Sequence, residues 1–170
     1  IASLIFSDQN KAEQAIENLA SLFRSSLKTS ELYETVDQEI ERCELYLAIE
    51  ALRLGDRLQV IWTVDEDARG LPMPAMILQP LVENSVYHGI SDLPQGGTIN
   101  IKVALADKNV VLDIENPMPV DKASSSGLNM ALDNIARRLK VIFAESMHFK
   151  ISINSGTFTV NLRYPVVKNI

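Results

Sequence analysis

The chain has 170 residues, and its 16 lysines and arginines against 22 aspartates and glutamates give a formal net charge of −6 at pH 7. Hydrophobic residues make up 46% and charged residues 22%, which is ordinary for a globular domain and excludes a disordered chain or a disulfide scaffold. The negative charge argues against binding to nucleic acid. One cysteine, Cys43, excludes a thiolate zinc site and fits a reducing compartment. Because no stretch of about 18 apolar residues occurs, the sequence predicts a soluble intracellular piece. Its apolar start at Ile1, without Met, leads us to expect a segment of a longer chain.

The first part of the chain predicts two helices that pack as a hairpin. Residues 9–28 carry apolar side chains at spacings of three and four, as on one face of a helix. A second helix is expected after Thr35, which forms a capping-box pattern with Gln38, and is expected to end at Gly55. This helix has two apolar faces and must bury both. We therefore expect residues 1–56 to form part of a dimeric four-helix bundle.

After this hairpin, strands and helices are predicted in alternation. A half-buried strand at 58–64 leads through a polar, proline-containing loop at 65–74 into a helix from Ala75 to His88. Then come a hairpin, a loop without periodicity, a helix and a second hairpin, in the segments 98–105 with 110–116, 117–127, 128–142, and 149–154 with 157–164. This order predicts an α+β fold, a two-layer α/β sandwich whose sheet is largely antiparallel.

Polar residues concentrate within about one and a half turns of the helix predicted before residue 89. They are Glu83, Asn84, Tyr87 and His88. A carboxylate beside an amide oxygen suits Mg²⁺, which takes few protein ligands and keeps waters and phosphates for the rest. The alternative is a solvated helix face that ends in a cap.

Two further segments could contact a ligand. Asp113 and Glu115 precede the predicted loop, where an acid at a strand end can accept a hydrogen bond from the exocyclic amine of a base; alternatively, both acids are solvated on an edge strand. Residues 124–129 open a helix, whose free N–H groups can bind a polyphosphate; the alternative is simple capping by Ser126.

Three segments carry longer motifs. They are Leu-Gln-Pro-Leu-Val-Glu-Asn at 78–84 with His88-Gly89, Tyr-Leu-Ala-Ile-Glu at 46–50 with Arg-Leu-Gly-Asp-Arg-Leu at 53–58, and Leu-Asp-Asn-Ile-Ala-Arg-Arg-Leu at 132–139. In this order they resemble the LytS-like sensor histidine kinases of the GHKL ATPase superfamily, and within that family the AlgZ/FimS branch. The resemblance implies that residues 57–170 form a Bergerat-type ATP-binding domain, and that residues 1–56 are most of a dimerisation hairpin.

The resemblance also implies a site for ATP and Mg²⁺. Asn84 would coordinate Mg²⁺, Glu83 beside it would be catalytic, and Glu115 would read the adenine amine. Further nucleotide contacts would come from His88, Asn116, Gly127, Leu128, Asn129, Met130 and Thr157. The implied partners are a second copy, held through the N-terminal helices, and a response regulator. Attachment to a bacterial inner membrane would come only from segments upstream of this cytoplasmic part.

The sequence departs from the family pattern where glycine or lysine is usual. These departures are Pro117, Pro119, Ala131 and Tyr87. The family's phospho-accepting motif, His-Phe-Leu-Phe-Asn, is absent, and neither His88 nor His148 matches it. We therefore expect that these residues alone cannot autophosphorylate.

Two main functions fit these features. The first is the transmitter core of a two-component sensor histidine kinase, which binds Mg-ATP, phosphorylates an upstream histidine and relays the phosphoryl group to a response-regulator aspartate. The second is a degenerate pseudokinase that serves as a dimeric scaffold for a response regulator. A stand-alone GHKL ATPase is a third alternative, and the dimer-bundle pattern of residues 35–55 argues against it.

Overall fold

The computed structural model describes residues 8–28, 31–119 and 126–167, with the backbone alone at 25–28 and 126–131. In chain order its helices and strands are α1 (Gln9–Lys28), β1 (Tyr33–Thr35), α2 (Val36–Leu54), β2 (Leu58–Val64), α3 (Glu66–Arg69), β3 (Pro72–Pro74), α4 (Leu78–Asn84), β4 (Gly97–Ala106), β5 (Asn109–Pro117), α5 (Ser126–Phe143), β6 (His148–Asn154) and β7 (Thr157–Pro165). None of the helices in these described ranges is long and apolar enough to cross a membrane.

Helices α1 and α2 pack together as the predicted hairpin. The capping box predicted for α2 is confirmed, because Thr35 Oγ1 accepts from the Gln38 N–H at 3.2 Å and Gln38 Oε1 accepts from the Thr35 N–H at 2.8 Å. The predicted end of α2 is confirmed as well. Gly55 has a positive φ of 57°, which a residue with a side chain adopts at a cost.

The main sheet of the described chain has the strand order β2–β4–β5–β7–β6. Strands β2 and β4 are parallel, and the other neighbouring pairs are antiparallel. Parallel neighbours require a crossover, and the chain makes it through α3, β3 and α4. Both predicted hairpins, β4–β5 and β6–β7, are confirmed, as is the largely antiparallel α+β sandwich.

The segment at 65–74 is more regular than the predicted loop. It contains α3 and β3, and β3 pairs antiparallel with β1, so that Glu34 lies opposite Met73. Because β1 lies far away in the sequence, no local pattern indicates this pairing.

Helix α4 is shorter than the helix predicted from Ala75 to His88. Met76 has a φ of 58°, outside the helical region, and α4 begins only after it. Beyond Asn84 the chain continues as a π-helical turn, Ser85–Gly89.

One apolar core lies between the inner face of the sheet and the helices. In β4, Ile99 and Ile101 are buried, whereas Asn100 and Lys102 are exposed on the outer face. Helices α2, α4 and α5 contribute buried side chains to the same core. The division predicted between residues 56 and 57 stays a prediction.

Candidate functional site

Helix α4 and the π turn hold the central polar residues in a fixed part of the core. Pro80 lies in the first turn of α4, where the backbone N–H groups have no acceptor within the helix, so its missing N–H costs little. The Ser85 hydroxyl donates to the Leu81 carbonyl at 3.1 Å. Val86 and Ile90 are fully buried, which anchors the turn to the sheet.

Asn84 is a buried amide with an unused donor. Its side chain is 9% exposed, and its Nδ2 has no hydrogen-bond partner within the described residues. A buried polar group without a partner costs about 1–3 kcal/mol, so native structures keep few of them. An unused donor at this depth indicates a place where a ligand or water completes the hydrogen bonding.

Glu83 points away from Asn84 and toward α2. It accepts a hydrogen bond from Gln79 Nε2 at 2.7 Å. Burial raises the pKa of the Tyr46 hydroxyl on α2, and the negative charges of Glu50 and Glu83 raise it further. Consecutive helical residues point about 100° apart, and the structure therefore does not bring Glu83 and Asn84 together as one ligand pair.

The two rings of the π turn pack on each other. Tyr87 and His88 meet edge to face, with ring centroids 4.8 Å apart. Tyr87 is exposed and His88 is half-buried. The predicted position of His88 near Asn84 assumed a regular helix, and the wider π turn changes the direction in which His88 points.

Asn116, at the end of β5, is the second buried amide. It is 2% exposed, and its Nδ2 donates to the Pro117 carbonyl oxygen at 2.9 Å. Its Oδ1 has no partner within the described part of the chain. The π turn reaches this side chain through Gly89, where a Cβ would lie only 2.3 Å from Asn116 Nδ2. A glycine is therefore needed at 89 for this contact.

Glu115 lies on the opposite face of the sheet from Asn116. It is exposed and lies beside Asn100 and Thr159 on the outer face, whereas Ile114 and Asn116 face inward. Side chains alternate along a strand, so neighbouring residues cannot share a face. The structure thus places Glu115 and Asn116 on opposite faces of the sheet, and the expected adenine contact of Glu115 stays a prediction. The alternation of buried Leu112 and Ile114 would have pointed to Asn116.

The other predicted contacts lie at the same edge of the sheet or at the start of α5. Thr157 is half-buried and pairs with Pro117, and Met118 N–H donates to the Gly156 carbonyl at 2.7 Å. Gly127, Leu128, Asn129 and Met130 lie in the first turns of α5, and their side chains fall outside what the structure describes. Most of the predicted loop, residues 120–125, is also outside the described residues.

The polar groups of this region fit a nucleotide better than a metal ion held by protein side chains alone. Across residues 8–28, 31–119 and 126–167, no group of three or more His, Cys, Asp or Glu side chains is placed to hold a metal ion. Among the described residues, buried side-chain amides leave one donor unused, on Asn84, and two acceptors, on Asn116 and Gln79. A nucleotide carries both the acceptors that such a donor needs and the donors that such an acceptor needs.

The sequence matches known proteins along nearly its whole length. A family model described as Histidine kinase matches residues 1–58. The sensor histidine kinase BtsS of Escherichia coli (strain K12) is 31% identical over 170 residues, covering 97% of this chain and 30% of BtsS. The sensor histidine kinase/phosphatase LytS of Staphylococcus aureus (strain MRSA252) is 28% identical over 180 residues, covering 96% of this chain and 31% of LytS. The chain thus spans less than a third of these relatives.

Solved structures share the fold. The Acinetobacter baumannii histidine kinase AdeS superposes with a TM-score of 0.59 at 13% identity, over 90% of this chain and 77% of that one. The cytoplasmic segment of the histidine kinase QseC gives a TM-score of 0.54 at 13% identity, over 93% and 95%. At these identities the likeness shows the fold alone, and the predicted α+β fold, shared with histidine kinase catalytic domains, is confirmed.

Proposed function

Because the chain belongs to the LytS-like sensor histidine kinases, we propose that it is the transmitter core of a bacterial two-component sensor. In this proposal residues 57–170 bind Mg-ATP. The γ-phosphoryl group passes to a histidine upstream of residue 1 and then to a response-regulator aspartate. The observation that carries the proposal is the pair of buried amides, Asn84 and Asn116, each with one polar atom unpartnered among the described residues. The narrower placement in the AlgZ/FimS branch stays a prediction.

We assign the base contact to Asn116 in place of Glu115. Because Asn116 Nδ2 is engaged by the Pro117 carbonyl, Oδ1 is the atom left to accept. An acceptor pairs with the exocyclic amine of adenine and is repelled by the carbonyl oxygen that guanine carries at the same position. An amide makes this contact without burying a charge, which a carboxylate at this depth would do.

We assign Asn84 to the Mg²⁺ and phosphate end of the nucleotide. The unused Nδ2 of Asn84 can donate to a phosphate oxygen, and its Oδ1 would coordinate Mg²⁺, which takes few protein ligands and completes its shell with waters and phosphates. A bound Mg²⁺ neutralises charge on the phosphates. The role of the chain is to position the nucleotide, and phosphoryl transfer depends chiefly on such positioning. Glu83, whose charge acts on Tyr46 of α2, stays our candidate catalytic residue.

Helix α1 supports a homodimer. Ala12 and Ala15 are buried where α1 packs on α2, whereas Ile16 and Phe23 are 52% and 61% exposed and lie about two turns apart on one face. A second copy that covers this face would complete a four-helix bundle. Docking of a response regulator, and membrane attachment through upstream segments, belong to the same proposal.

A second candidate function, a non-catalytic scaffold for a response regulator, is favoured by Pro117. Its ring fills the space beside β4, because Pro117 Cγ lies 2.4 Å from where a Cβ on Gly97 would be. Proline also has no backbone N–H to donate to a nucleotide. The strand end that is glycine-rich in the family pattern is thus replaced by an apolar ring.

Isothermal titration of the chain with Mg-ATP separates the two functions. We expect binding, weakened about tenfold or more by Asn84→Ala and by Asn116→Ala, since each removes a hydrogen bond in a buried site. Glu115→Gln, on the outer face, is the matched control and should bind as the wild type does. GTP should bind more weakly than ATP.

Each outcome decides between named alternatives. Absence of heat at millimolar Mg-ATP contradicts the kinase and leaves the scaffold. Binding that Glu115→Gln weakens and Asn116→Ala does not would return the base contact to Glu115.

A further inference from the structure

A buried carboxylate joins helix α2 to the start of helix α4. Glu39, on α2, is 0% exposed. Its Oε1 accepts from the Met76 N–H at 2.7 Å, and its Oε2 accepts from Ile77 at 3.2 Å and from Leu78 at 2.8 Å. Three consecutive backbone donors therefore converge on one side chain from a distant part of the sequence.

This contact replaces a local helix cap. The first N–H groups of a helix have no acceptor within it, and a nearby side chain such as Ser or Asp usually supplies one. Ile77 occupies the cap position of α4 and has no side-chain acceptor to offer. A carboxylate at this end also interacts favourably with the helix dipole. Glu39 thus satisfies groups that α4 itself leaves open.

The carboxylate is held from the other side by an arginine. Arg42 is almost fully buried and donates to both Glu39 and Glu34. Burial by itself lowers the pKa of Arg42, but its hydrogen bond to Glu34 and the charges of Glu34 and Glu39 outweigh burial, and the pKa is raised. Glu34 lies in β1, which leads into α2, and is paired opposite Met73 of β3, which leads into the bend before α4.

We propose that Glu39 is a positioning residue that fixes α4, and with it Asn84, to α2. A displacement of α2 within the hairpin is then transmitted to the nucleotide site through three hydrogen bonds to one carboxylate. The effect on nucleotide binding rests on the function proposed above, but the coupling between Glu39 and Asn84 does not require it.

The test uses Glu39→Gln in the 170-residue chain, with Glu34→Gln as the matched control. The Glu39 substitution replaces one acceptor oxygen by an NH₂ group that faces backbone donors. The Glu34 substitution removes a charge from the same network without contact to α4. Three quantities are measured: hydrogen exchange at Met76, Ile77 and Leu78, the side-chain amide NMR signals of Asn84, and the dissociation constant for Mg-ATP.

We expect Glu39→Gln to accelerate exchange at these amides about tenfold, to shift the Asn84 side-chain signals, and to raise the dissociation constant about tenfold. Glu34→Gln should leave the Asn84 signals and the nucleotide affinity unchanged. A merely structural role would lower the melting temperature without moving the Asn84 signals of the folded protein.

Unchanged Asn84 signals in folded Glu39→Gln, or equal shifts in Glu34→Gln, would overturn the proposal. If Glu39→Gln does not fold, Glu39→Asp keeps the charge but shortens its reach by one methylene, and the same criteria apply. If the wild type does not bind Mg-ATP, the proposed function fails, and the Asn84 signals still decide whether the coupling exists.

Discussion

Alanine at position 89 tests the close approach of the π turn to β5. A Cβ on Gly89 would lie 2.3 Å from Asn116 Nδ2 and 2.8 Å from the Pro117 carbonyl oxygen. Non-bonded heavy atoms involving carbon meet favourably at about 3.5–4 Å, so one side must move by roughly 1 Å. Gly89 has a φ of −98°, so the penalty arises from the contact and not from left-handed backbone.

The cost has two parts. Overpacking of a tight site costs about 1–3 kcal/mol. Displacement of Asn116 also breaks its 2.9 Å hydrogen bond to the Pro117 carbonyl, which is worth about 1 kcal/mol. We therefore expect Gly89→Ala to lower the free energy of unfolding by about 2–4 kcal/mol. The affinity for Mg-ATP should fall about tenfold, because the acceptor on Asn116 moves with its amide group.

Urea unfolding followed by circular dichroism measures the first effect, and calorimetric titration measures the second. Gly70→Ala is the matched control, because a Cβ there meets nothing within 4 Å and φ is −82°. It should change stability by no more than about 0.5–1 kcal/mol. If Gly89→Ala is as stable as Gly70→Ala and binds nucleotide equally well, the reasoning is refuted. The double variant Gly89→Ala/Asn116→Ala no longer has the Asn116 amide that the new Cβ at position 89 would strike. Its loss of unfolding free energy should therefore be smaller than the sum of the losses in the two single variants.

Three further sets of substitutions test other parts of the structure. Burial raises the pKa of the Cys43 thiol above 9.0, so only the unfolded chain loses this proton as the pH rises. The stability that the protonated thiol contributes is therefore present below pH 9 and is lost above it, by about 1 kcal/mol between pH 9 and pH 10. In urea unfolding, Cys43→Ala should remove this fall in the free energy of unfolding with rising pH. Thr35→Ala should lower the free energy of unfolding by about 1 kcal/mol, and Thr35→Ser should restore most of it. Serine at both Ile16 and Phe23 should raise the dimer dissociation constant about tenfold in sedimentation, whereas serine at exposed Val141 should not.

Contrary results are equally specific for these variants. An unchanged alkaline slope would mean that the thiol titrates alike in both states. An unchanged urea midpoint in Thr35→Ala would remove the capping box from the stability of α2. Unaltered sedimentation after the double serine exchange would place the dimer contact elsewhere.

Features set by neighbouring residues could be predicted from the sequence. The capping box of Thr35 and Gln38, the end of α2 at Gly55 and the β4–β5 hairpin all depend on short-range chemistry that a pattern contains. The direction of side chains at the end of β5 is less evident from the motif. The motif points to Glu115 for the adenine contact, whereas the two-residue period of β5 turns Asn116 inward.

Features set by contacts between distant segments could not be predicted from local patterns. The pairing of β1 with β3 and the convergence of three N–H groups on Glu39 join parts of the chain that fold together only in three dimensions. Glu39 itself looked like an ordinary acidic residue in the first turn of a helix. Glu39 is buried because the start of α4 packs against it, and the sequence of α2 alone gives no sign of that contact.

The π turn affects how this chain is to be compared and engineered. Each residue of a π turn rotates the chain by less than a residue of an α-helix does. Counting in threes and fours from Asn84 therefore assigns wrong directions to the side chains beyond Ser85. A relative that lacks one residue between 85 and 89 can form a regular α-helix whose following segment points in nearly the same direction, because the π turn holds one extra residue within about the same rotation. Gly89 and its contact with Asn116 are then matched correctly only if the gap falls within the π turn. An alignment that places its gap one residue away would transfer the wrong roles between otherwise similar kinases.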